Sequence, residues 1–354
     1  MKPLVTVLVD TFNHEKYIEQ ALVSVLEQGL SPEELEIVVV DDGSTDGTPS
    51  VIQKFLPRVK YLRKKNGGQA SAFNAAFPEV HGQIVALLDG DDWFAEGKLA
   101  AVLRALEQNP EVAAVGHGYY KFDEETDKVE VCSPPETTLL NLATPEAARA
   151  ALRGWRFLLL GALTVRRRVL ERTIPIPEVL VFSADNPIQV ASMAMGALLL
   201  KEPFSYYRHH ADNLYAVGQE NAAKVRRKCE MVELTVSLLY PMLIRLGVPE
   251  ESVSILLSHG LVEAKRTLLS RFGGSRLDAF QTEMQAFRAA FPNPSVGYRL
   301  FKYVVVGAAT LALPVRRFYK LRDWYAARHL GGYRQRLFEE DVTVSSFREN
   351  APGK

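Results

Sequence analysis

The sequence predicts an α/β fold in which a mainly parallel sheet is covered by helices on both faces and is followed by a helical C-terminal region. Strand-like and helix-like segments alternate over roughly the first hundred residues. The strand-like segments are apolar throughout, as expected of parallel strands that are buried on both faces. The chain has 354 residues, of which 47% are hydrophobic, and this is enough for a large core.

Each element of the first part of the chain has its own signal. Runs of aliphatic residues predict strands at residues 4–9, 37–40, 59–62 and 84–88. Apolar residues at helical spacing predict helices that begin near Ile18 and Val51, and two more at residues 70–77 and 96–109. Two β-rich runs around an acidic turn predict a hairpin at residues 119–131.

The character of the chain changes after about residue 219, where long helical patterns replace strand signals. We therefore predict an α/β domain at residues 1–217, a helical region at 218–338 and a tail at 339–354. Within the helical region, the sequence YVVVGAATLALP is nearly uncharged and is followed by RRFYKLRDWYAAR. An apolar run this short cannot span a bilayer, which needs about 20 residues of helix. It could lie on an anionic membrane surface, form a homodimer contact or pack as a buried helix.

The charge balance, the cysteines and the N-terminal sequence bear on the partners and the location of the protein. The 42 basic residues balance the 42 acidic ones, so no overall field favours nucleic acid. Cys132 and Cys229 lie far apart and fit neither a disulfide framework nor a zinc site, which indicates a reducing compartment. The N-terminal apolar run is too short for a signal peptide and is broken by Asp10. These observations predict a cytoplasmic location.

Polar residues follow four successive predicted strands. The strand ends continue as DTFN at residues 10–13, DDGSTD at 41–46, NGG at 66–68 and DGDD at 89–92. Such residues can simply form turns and cap helices, but a turn does not need three carboxylates in four positions. Because clustered carboxylates repel each other, we expect a divalent cation together with a phosphate-containing ligand to offset the repulsion. Open parallel sheets bind ligands at this edge.

Several motifs, taken in order, resemble those of glycosyltransferase family 2. They are VTVLVDTFN, EIVVVDDGSTDGT, NGGQASAFNAAF, GQIVALLDGDDWF, FSADNPI and YYRHHADNL, and together they span roughly residues 1–215. The resemblance implies a Rossmann-like GT-A fold and an inverting, metal-dependent transfer of a hexosyl group from a nucleoside-diphosphate sugar. It further implies Mn²⁺ or Mg²⁺ as cofactor and a hydroxyl of a glycan or lipid-linked acceptor, in cell-surface polysaccharide synthesis. An enzyme of this type would work in the cytoplasm, with possible peripheral contact to the inner face of the membrane.

Carried over by motif position, the resemblance also implies roles for individual residues. The implied catalytic base is Asp185. The implied nucleotide-binding residues are Thr11, Asn13, Asp42, Asn66, Gly67 and Asp91. The implied metal ligands are Asp91, Asp92 and His210, and the implied phosphate or acceptor contacts are Arg208 and Asp89.

The same residues are also compatible with purely structural roles. Asp185 could be only the cap of the helix that begins at Asn186-Pro187, and Ala184 stands where the family usually has Glu. His209 and His210 could be surface residues, and the arginines of GALTVRRR fit a solvated turn as well as an acceptor site.

The sequence lacks the motifs of two other nucleotide-binding enzyme classes. A sugar-1-phosphate nucleotidyltransferase would need a Gly-rich, Arg-containing first loop, and a dinucleotide dehydrogenase would need G-x-G-x-x-G after the first strand. Neither motif is present. A catalytically inactive nucleotide-sugar-binding or scaffold protein of the same fold is the remaining alternative.

Overall fold

The computed structural model describes residues 3–180, 184–210, 222–290 and 295–325. The chain forms two compact units, residues 1–258 and 259–354. The predicted domain boundary between residues 217 and 218 and the predicted tail at 339–354 lie outside the described residues, so both stay predictions.

The first half of the sheet is parallel. Its strands are β1 (Val5–Thr11), β2 (Leu35–Asp41), β3 (Lys60–Arg63) and β4 (Ile84–Asp89), which lie side by side in the order β3-β2-β1-β4. The four strands predicted from the sequence are therefore confirmed. Their register places Asp10 of β1 opposite Val40 of β2 and opposite Asp89 of β4. The acidic strand ends consequently meet at one edge.

Beyond β4 the sheet becomes mixed. The further strands are β5 (Trp93–Phe94), β6 (Ala114–Asp123), β7 (Lys128–Cys132), β8 (Thr138–Leu140), β9 (Thr164–Arg166) and β10 (Ala197–His209). Strand β9 runs antiparallel between β4 and β6, whereas β10 runs parallel to β6. Strands β6 and β7 form the predicted hairpin.

Helices cover both faces of this sheet, as predicted. They are α1 (Ile18–Leu26), α2 (Thr48–Gln53), α3 (Gln69–Ala76), α4 (Lys98–Gln108), α5 (Pro145–Gly154), α6 (Arg167–Thr173) and α7 (Asn186–Ala194). Because side chains alternate along a strand, Val7 and Val9 pack in one core with residues of α1 and α4. Leu8 points to the opposite face, where it joins a second core with residues of α3 and α7.

The remaining helices are α8 (Ala222–Arg245), α9 (Glu250–Phe272), α10 (Arg276–Ala290), α11 (Val296–Ala312) and α12 (Val315–Tyr325). Leu239 and Leu243 of α8 extend the core of the first unit. The second unit has a small core of its own, which contains Leu269, Ala279 and Phe318. No helix among the described residues is both long enough and apolar enough to cross a membrane.

Candidate active site

Two strand-end carboxylates, Asp10 and Asp89, share one hydrogen-bond donor. The Nε2 amide of Gln69, the first residue of α3, donates to Asp10 Oδ2 at 3.0 Å and to Asp89 Oδ1 at 3.1 Å. Burial raises the pKa of Asp10 to about 7. Burial and the neighbouring charge of Asp10 raise the pKa of Asp89 well above its ordinary value. This pair of carboxylates therefore favours a proton or a cation between the strand ends.

Asp91 lies between two histidines. His210 Nε2 is 3.0 Å from Asp91 Oδ2, and His14 Nε2 is 3.8 Å from the same oxygen. Burial by itself would raise the pKa of Asp91, but the hydrogen bond from His210 and the charges of His14 and His210 lower it below the ordinary value. His210 is only 7% exposed, so it is not the surface histidine that its sequence context also allowed.

Asp92 is turned into the protein. Its Oδ1 accepts a hydrogen bond from the backbone N–H of Arg208 at 2.8 Å. Burial and the charge of Asp91 raise the pKa of Asp92 well above its ordinary value. The charge of the fully buried Lys98 has the opposite effect, and Lys98 also donates to the carbonyl oxygen of Gly161 at 2.5 Å. Of the two predicted carboxylate ligands, Asp91 is therefore the one that meets an imidazole.

The guanidinium of Arg208 holds the turn that carries these acids. Its Nε donates to the carbonyl oxygen of Asp91 at 2.9 Å, and its NH2 group donates to Gln20 Oε1 at 2.5 Å. The group stacks on the rings of Tyr17 and Trp93, with its carbon 4.7 and 4.6 Å from the ring centres. The predicted contact of Arg208 with phosphate stays a prediction.

Asp42 lies at the start of helix α3. Its Oδ2 accepts a hydrogen bond from Gly68 N at 2.6 Å, and its Oδ1 accepts from Gly67 N at 3.0 Å and from Lys64 Nζ at 2.7 Å. Gly43 allows this approach, because a Cβ at that position would lie 2.7 Å from the backbone nitrogen of Asn66. The structure thus brings Asp42, Asn66 and Gly67 together, as the site prediction requires.

Asn13 ties the loop after β1 to the loop after β2. It has a φ of +57°, a conformation that Asn tolerates better than most residues. Its backbone N–H donates to Ser44 Oγ at 2.9 Å, and its Oδ1 accepts from Thr45 N at 2.8 Å. Thr11 is buried, with its Oγ1 3.2 Å from His14 Nδ1.

Asp185 precedes helix α7, and its side chain makes no capping hydrogen bond to that helix. Gln189 Nε2 donates to Asp185 Oδ2 at 2.6 Å, and Trp155 Nε1 donates to Gln189 Oε1 at 2.6 Å. Because an indole N–H can only donate, Trp155 fixes which end of the Gln189 amide faces Asp185. Burial raises the pKa of Asp185 to about 6. The charge of Asp185 in turn adds a little to the rise in the pKa values of Asp10 and Asp89 that burial causes.

The site prediction did not include Asp10, His14, Gln69, Lys98 and Gln189. The sequence did place Asp10 at a strand end and Gln69 directly after Gly67-Gly68, so both had a positional signal. The other three had none, because their contacts depend on how distant segments pack. Phe182, Ser183 and residues 211–214 of the last two motifs lie outside the described residues.

Arg166 and Arg168 of GALTVRRR bind backbone carbonyl groups near the end of α4, whereas Arg167 donates to the carbonyl oxygen of Val80 and to Glu171. Arg166 Nε donates to Val112 O and its NH2 group to Leu106 O, both at 2.8 Å. Arg168 NH2 donates to Glu111 O at 3.2 Å. These contacts give Arg166 and Arg168 a structural role.

The donor set fits a divalent cation that is bound together with a phosphate ligand. A carboxylate and an imidazole meet at Asp91 and His210, and Asp10 Oδ1 is buried with no hydrogen-bond partner among the described residues. The described part of the chain contains no group of three His, Cys, Asp or Glu residues arranged to hold a metal by themselves. Further ligands would have to come from phosphate oxygens and water.

The sequence of the chain is similar to those of known glycosyltransferases. The family model "Glycosyl transferase family 2" matches residues 6–173. An uncharacterised glycosyltransferase of Nostoc sp. strain PCC 7120 is 31% identical over 253 residues, which cover 69% of this chain and 76% of the relative. The uncharacterised glycosyltransferase EpsJ of Bacillus subtilis is 28% identical over 236 residues, which cover 63% of this chain and 66% of EpsJ.

Solved structures show the same fold. TarS residues 1–349 of S. aureus in complex with UDP superimpose with a TM-score of 0.52 at 20% identity, over 88% of this chain and 92% of those TarS residues. The TarS complex with UDP-GlcNAc gives a TM-score of 0.52 at 19% identity, over 82% of this chain and 89% of that one. At this identity the likeness establishes the fold, and the family rests on the sequence matches. The chain belongs to glycosyltransferase family 2 and has the GT-A fold.

Proposed function

We propose that the protein is an inverting glycosyltransferase that moves a sugar from a nucleoside-diphosphate sugar to a hydroxyl of a glycan or lipid-linked acceptor, in cell-surface polysaccharide synthesis. Membership of family 2 supports transfer from a nucleotide sugar. The observation that carries the proposal is the Asp185 carboxylate just before helix α7, which makes no capping hydrogen bond and is instead held by the Gln189 amide at 2.6 Å.

Asp185 acts as the general base of the proposed reaction. The acceptor oxygen bonds to the anomeric carbon, the bond from that carbon to the diphosphate oxygen breaks, and the acceptor proton passes to the Asp185 carboxylate. The electron pair of the broken bond leaves with the nucleoside diphosphate. Gln189 holds one oxygen of the base, and Trp155 holds Gln189. Attack from the side opposite the leaving group gives inversion at the anomeric carbon.

Asp91, Asp92 and His210 are the residues that would hold Mn²⁺ or Mg²⁺, and Asp89 would contact phosphate or the acceptor. A bound cation would neutralise the negative charge of the leaving diphosphate. The proposed nucleotide contacts are Thr11, Asn13, Asp42, Asn66, Gly67 and Asp91, with Arg208 toward phosphate. A uridine diphosphate sugar is the first donor to examine, since TarS was solved with UDP and UDP-GlcNAc.

A thermal-shift screen followed by a turnover assay tests the proposal. The full-length protein is heated with UDP, GDP, dTDP, CMP or NAD, each with and without Mn²⁺, because a ligand of the folded state raises the melting temperature. We expect stabilisation by one nucleoside diphosphate and a larger shift with Mn²⁺. Release of that diphosphate from its sugar donors is then measured with wild-type protein and with Asp185→Asn.

Asp185→Asn should lower kcat by at least about 100-fold, because the amide cannot accept the proton, while the nucleotide shift stays unchanged. Ser192→Ala is the matched control on the same helix, since its Oγ bonds only within α7. Normal turnover by Asp185→Asn would remove this residue from the base role. A nucleotide shift without turnover by wild-type protein would favour the inactive binding protein, and a shift with NAD alone would contradict the transferase. A cytoplasmic location and a homodimer stay predictions from the sequence.

A further inference from the structure

Helix α11 presents an apolar face to solvent. Beyond its first turn, every exposed residue of the helix is apolar, and these residues are Leu300, Phe301, Val304, Val305, Ala308, Leu311 and Ala312. The large side chains among them are 45% to 64% exposed. Their spacing places them on one side of the helix. An exposed helix face normally carries charged or polar residues, so this face requires an explanation.

The opposite side of α11 is the side that packs on the protein. The Tyr303 ring lies 6.0 Å from the Phe280 ring of α10, and a Cβ at Gly307 would lie 3.5 Å from Phe280. Thr310 is the buried residue of α11. One side of α11 therefore packs on α10, and the apolar face is exposed to solvent. The interpretation of this segment as a fully buried helix is not borne out.

Positive charge is concentrated in the segment of the chain that contains this face. Residues 296–325 contain six basic residues and one acidic residue, a net charge of +5, although the whole chain has a net charge of zero. On α12, Val315, Phe318 and Tyr319 are buried in the small core of the second unit. The exposed residues Arg316, Arg317 and Lys320 share another side of that helix. An apolar surface and a cationic surface thus belong to two consecutive helices.

We propose that α11 and α12 form a docking surface for an anionic lipid bilayer, in which α11 lies parallel to the membrane plane with its apolar face among the acyl chains. Arg316, Arg317 and Lys320 then lie against anionic headgroups. A second copy of the chain fits less well, because a symmetric contact through this surface would bring two segments of charge +5 together. This inference does not depend on the transferase activity.

Flotation with lipid vesicles tests the docking surface. The protein is mixed with one of two kinds of vesicle. Neutral vesicles contain phosphatidylcholine alone, and anionic vesicles contain phosphatidylcholine with about 30% phosphatidylglycerol, whose surface charge attracts basic segments. Bound protein is then recovered from a density gradient. We expect binding to the anionic vesicles that weakens as salt is raised, and little binding to neutral ones. The combined change Leu300→Gln, Val304→Gln and Leu311→Gln should weaken binding by at least about tenfold, because it removes the apolar contact.

Charge and matched control variants complete the experiment. Arg316→Gln, Arg317→Gln and Lys320→Gln together should also weaken binding by about tenfold or more. The control for the apolar change is Val129→Gln with Val131→Gln on strand β7, where both valines are similarly exposed. The control for the charge change combines Arg58→Gln, Arg104→Gln and Lys128→Gln at exposed positions. Both controls should bind vesicles as the wild type does. All variants change exposed side chains, and an unchanged melting temperature checks their folding.

Two results would overturn the proposal. One is equal recovery of wild-type protein with anionic and neutral vesicles, or none with either. The other is a dimer in light scattering that the α11 variant converts to a monomer, without vesicle binding by wild-type protein. That second result would assign the apolar face to a second copy.

Discussion

At the scale of single residues, the most informative contact is the one between Gln189 and Asp185. Burial raises the pKa of Asp185 to about 6, and the hydrogen bond from Gln189 opposes that rise. A general base works best with a pKa close to the working pH, provided that it is still ionised there. Gln189 therefore acts as a positioning residue that also keeps Asp185 charged at neutral pH.

We predict that Gln189→Met moves the acid limb of the pH profile to higher pH. In the wild type, kcat should fall as pH drops through about 6, because Asp185 becomes protonated. Met has a similar size but cannot donate a hydrogen bond, so the pKa of Asp185 should rise further. The measurement is diphosphate release between about pH 5 and 9, a range that brackets both limbs of a typical profile.

Trp155→Phe should also move the acid limb of the pH profile to higher pH, but by a smaller amount. In this variant Gln189 keeps its amide but loses the indole N–H that orients it. Ser192→Ala should leave the limb in place. A uniform loss of activity at every pH in Gln189→Met would indicate a packing role and would contradict this account.

At the scale of elements, the loop that precedes α3 is held by the end of β2. Gly67 and Gly68 expose backbone N–H groups at the start of the helix, and the Asp42 carboxylate accepts from both. A carboxylate at a helix N-terminus satisfies unpaired donors and interacts favourably with the helix dipole. The strand end and the helix start therefore form one rigid element beside the predicted nucleotide site.

We expect Asp42→Asn to destabilise the protein by about 1 to 2 kcal/mol, because one acceptor oxygen becomes an NH2 group that faces other donors. Urea unfolding at about neutral pH measures the change in the free energy of unfolding. Glu107→Gln on the exposed surface of α4 is the control and should be neutral. An unchanged urea midpoint for Asp42→Asn would show that the loop does not need this cap.

At the scale of the whole molecule, the acidic edge makes stability depend on pH. Burial raises the pKa of Asp10 to about 7 from an ordinary value of 3.8. The folded state thus holds this proton more tightly than the unfolded chain does. The stabilising effect of the proton is complete at low pH and is lost as pH rises from about 4 to about 7.

Asp10→Asn should therefore raise the melting temperature most at pH 8 and less at pH 5, where Asp10 is still protonated in the folded state but already ionised in the unfolded chain. Melting curves are recorded at these two pH values, which lie about one pH unit or more on either side of the perturbed pKa of Asp10. The samples contain a chelator and no nucleotide. Glu107→Gln again serves as the control. A lower melting temperature of Asp10→Asn at pH 8 would mean that the ionised form of Asp10 is stabilising.

The four parallel strands, the helices between them and the polar residues at the strand ends could all be predicted from the amino-acid sequence. These features follow from local periodicity, and parallel pairing then brings strand ends to one edge. For that reason Asp42, Asn66 and Gly67 could be placed at the same edge of the sheet before any contact was known, while their role in nucleotide binding stays a prediction. The position of Asp185 before α7 was equally local, since it depended on the Asn186-Pro187 helix start.

Which side chains come into contact depends on how distant segments of the chain pack together. His210 reaches Asp91 across 119 residues of sequence, Lys98 reaches Gly161 across 63, and Trp155 reaches Gln189 across 34. Such hydrogen bonds leave no periodic signal, because they depend on the packing of distant segments. The apolar face of α11 is a similar case, since the same residues would suit a buried helix or an exposed one. Their exposure depends on which neighbours the fold provides, and in this protein α10 covers only one side.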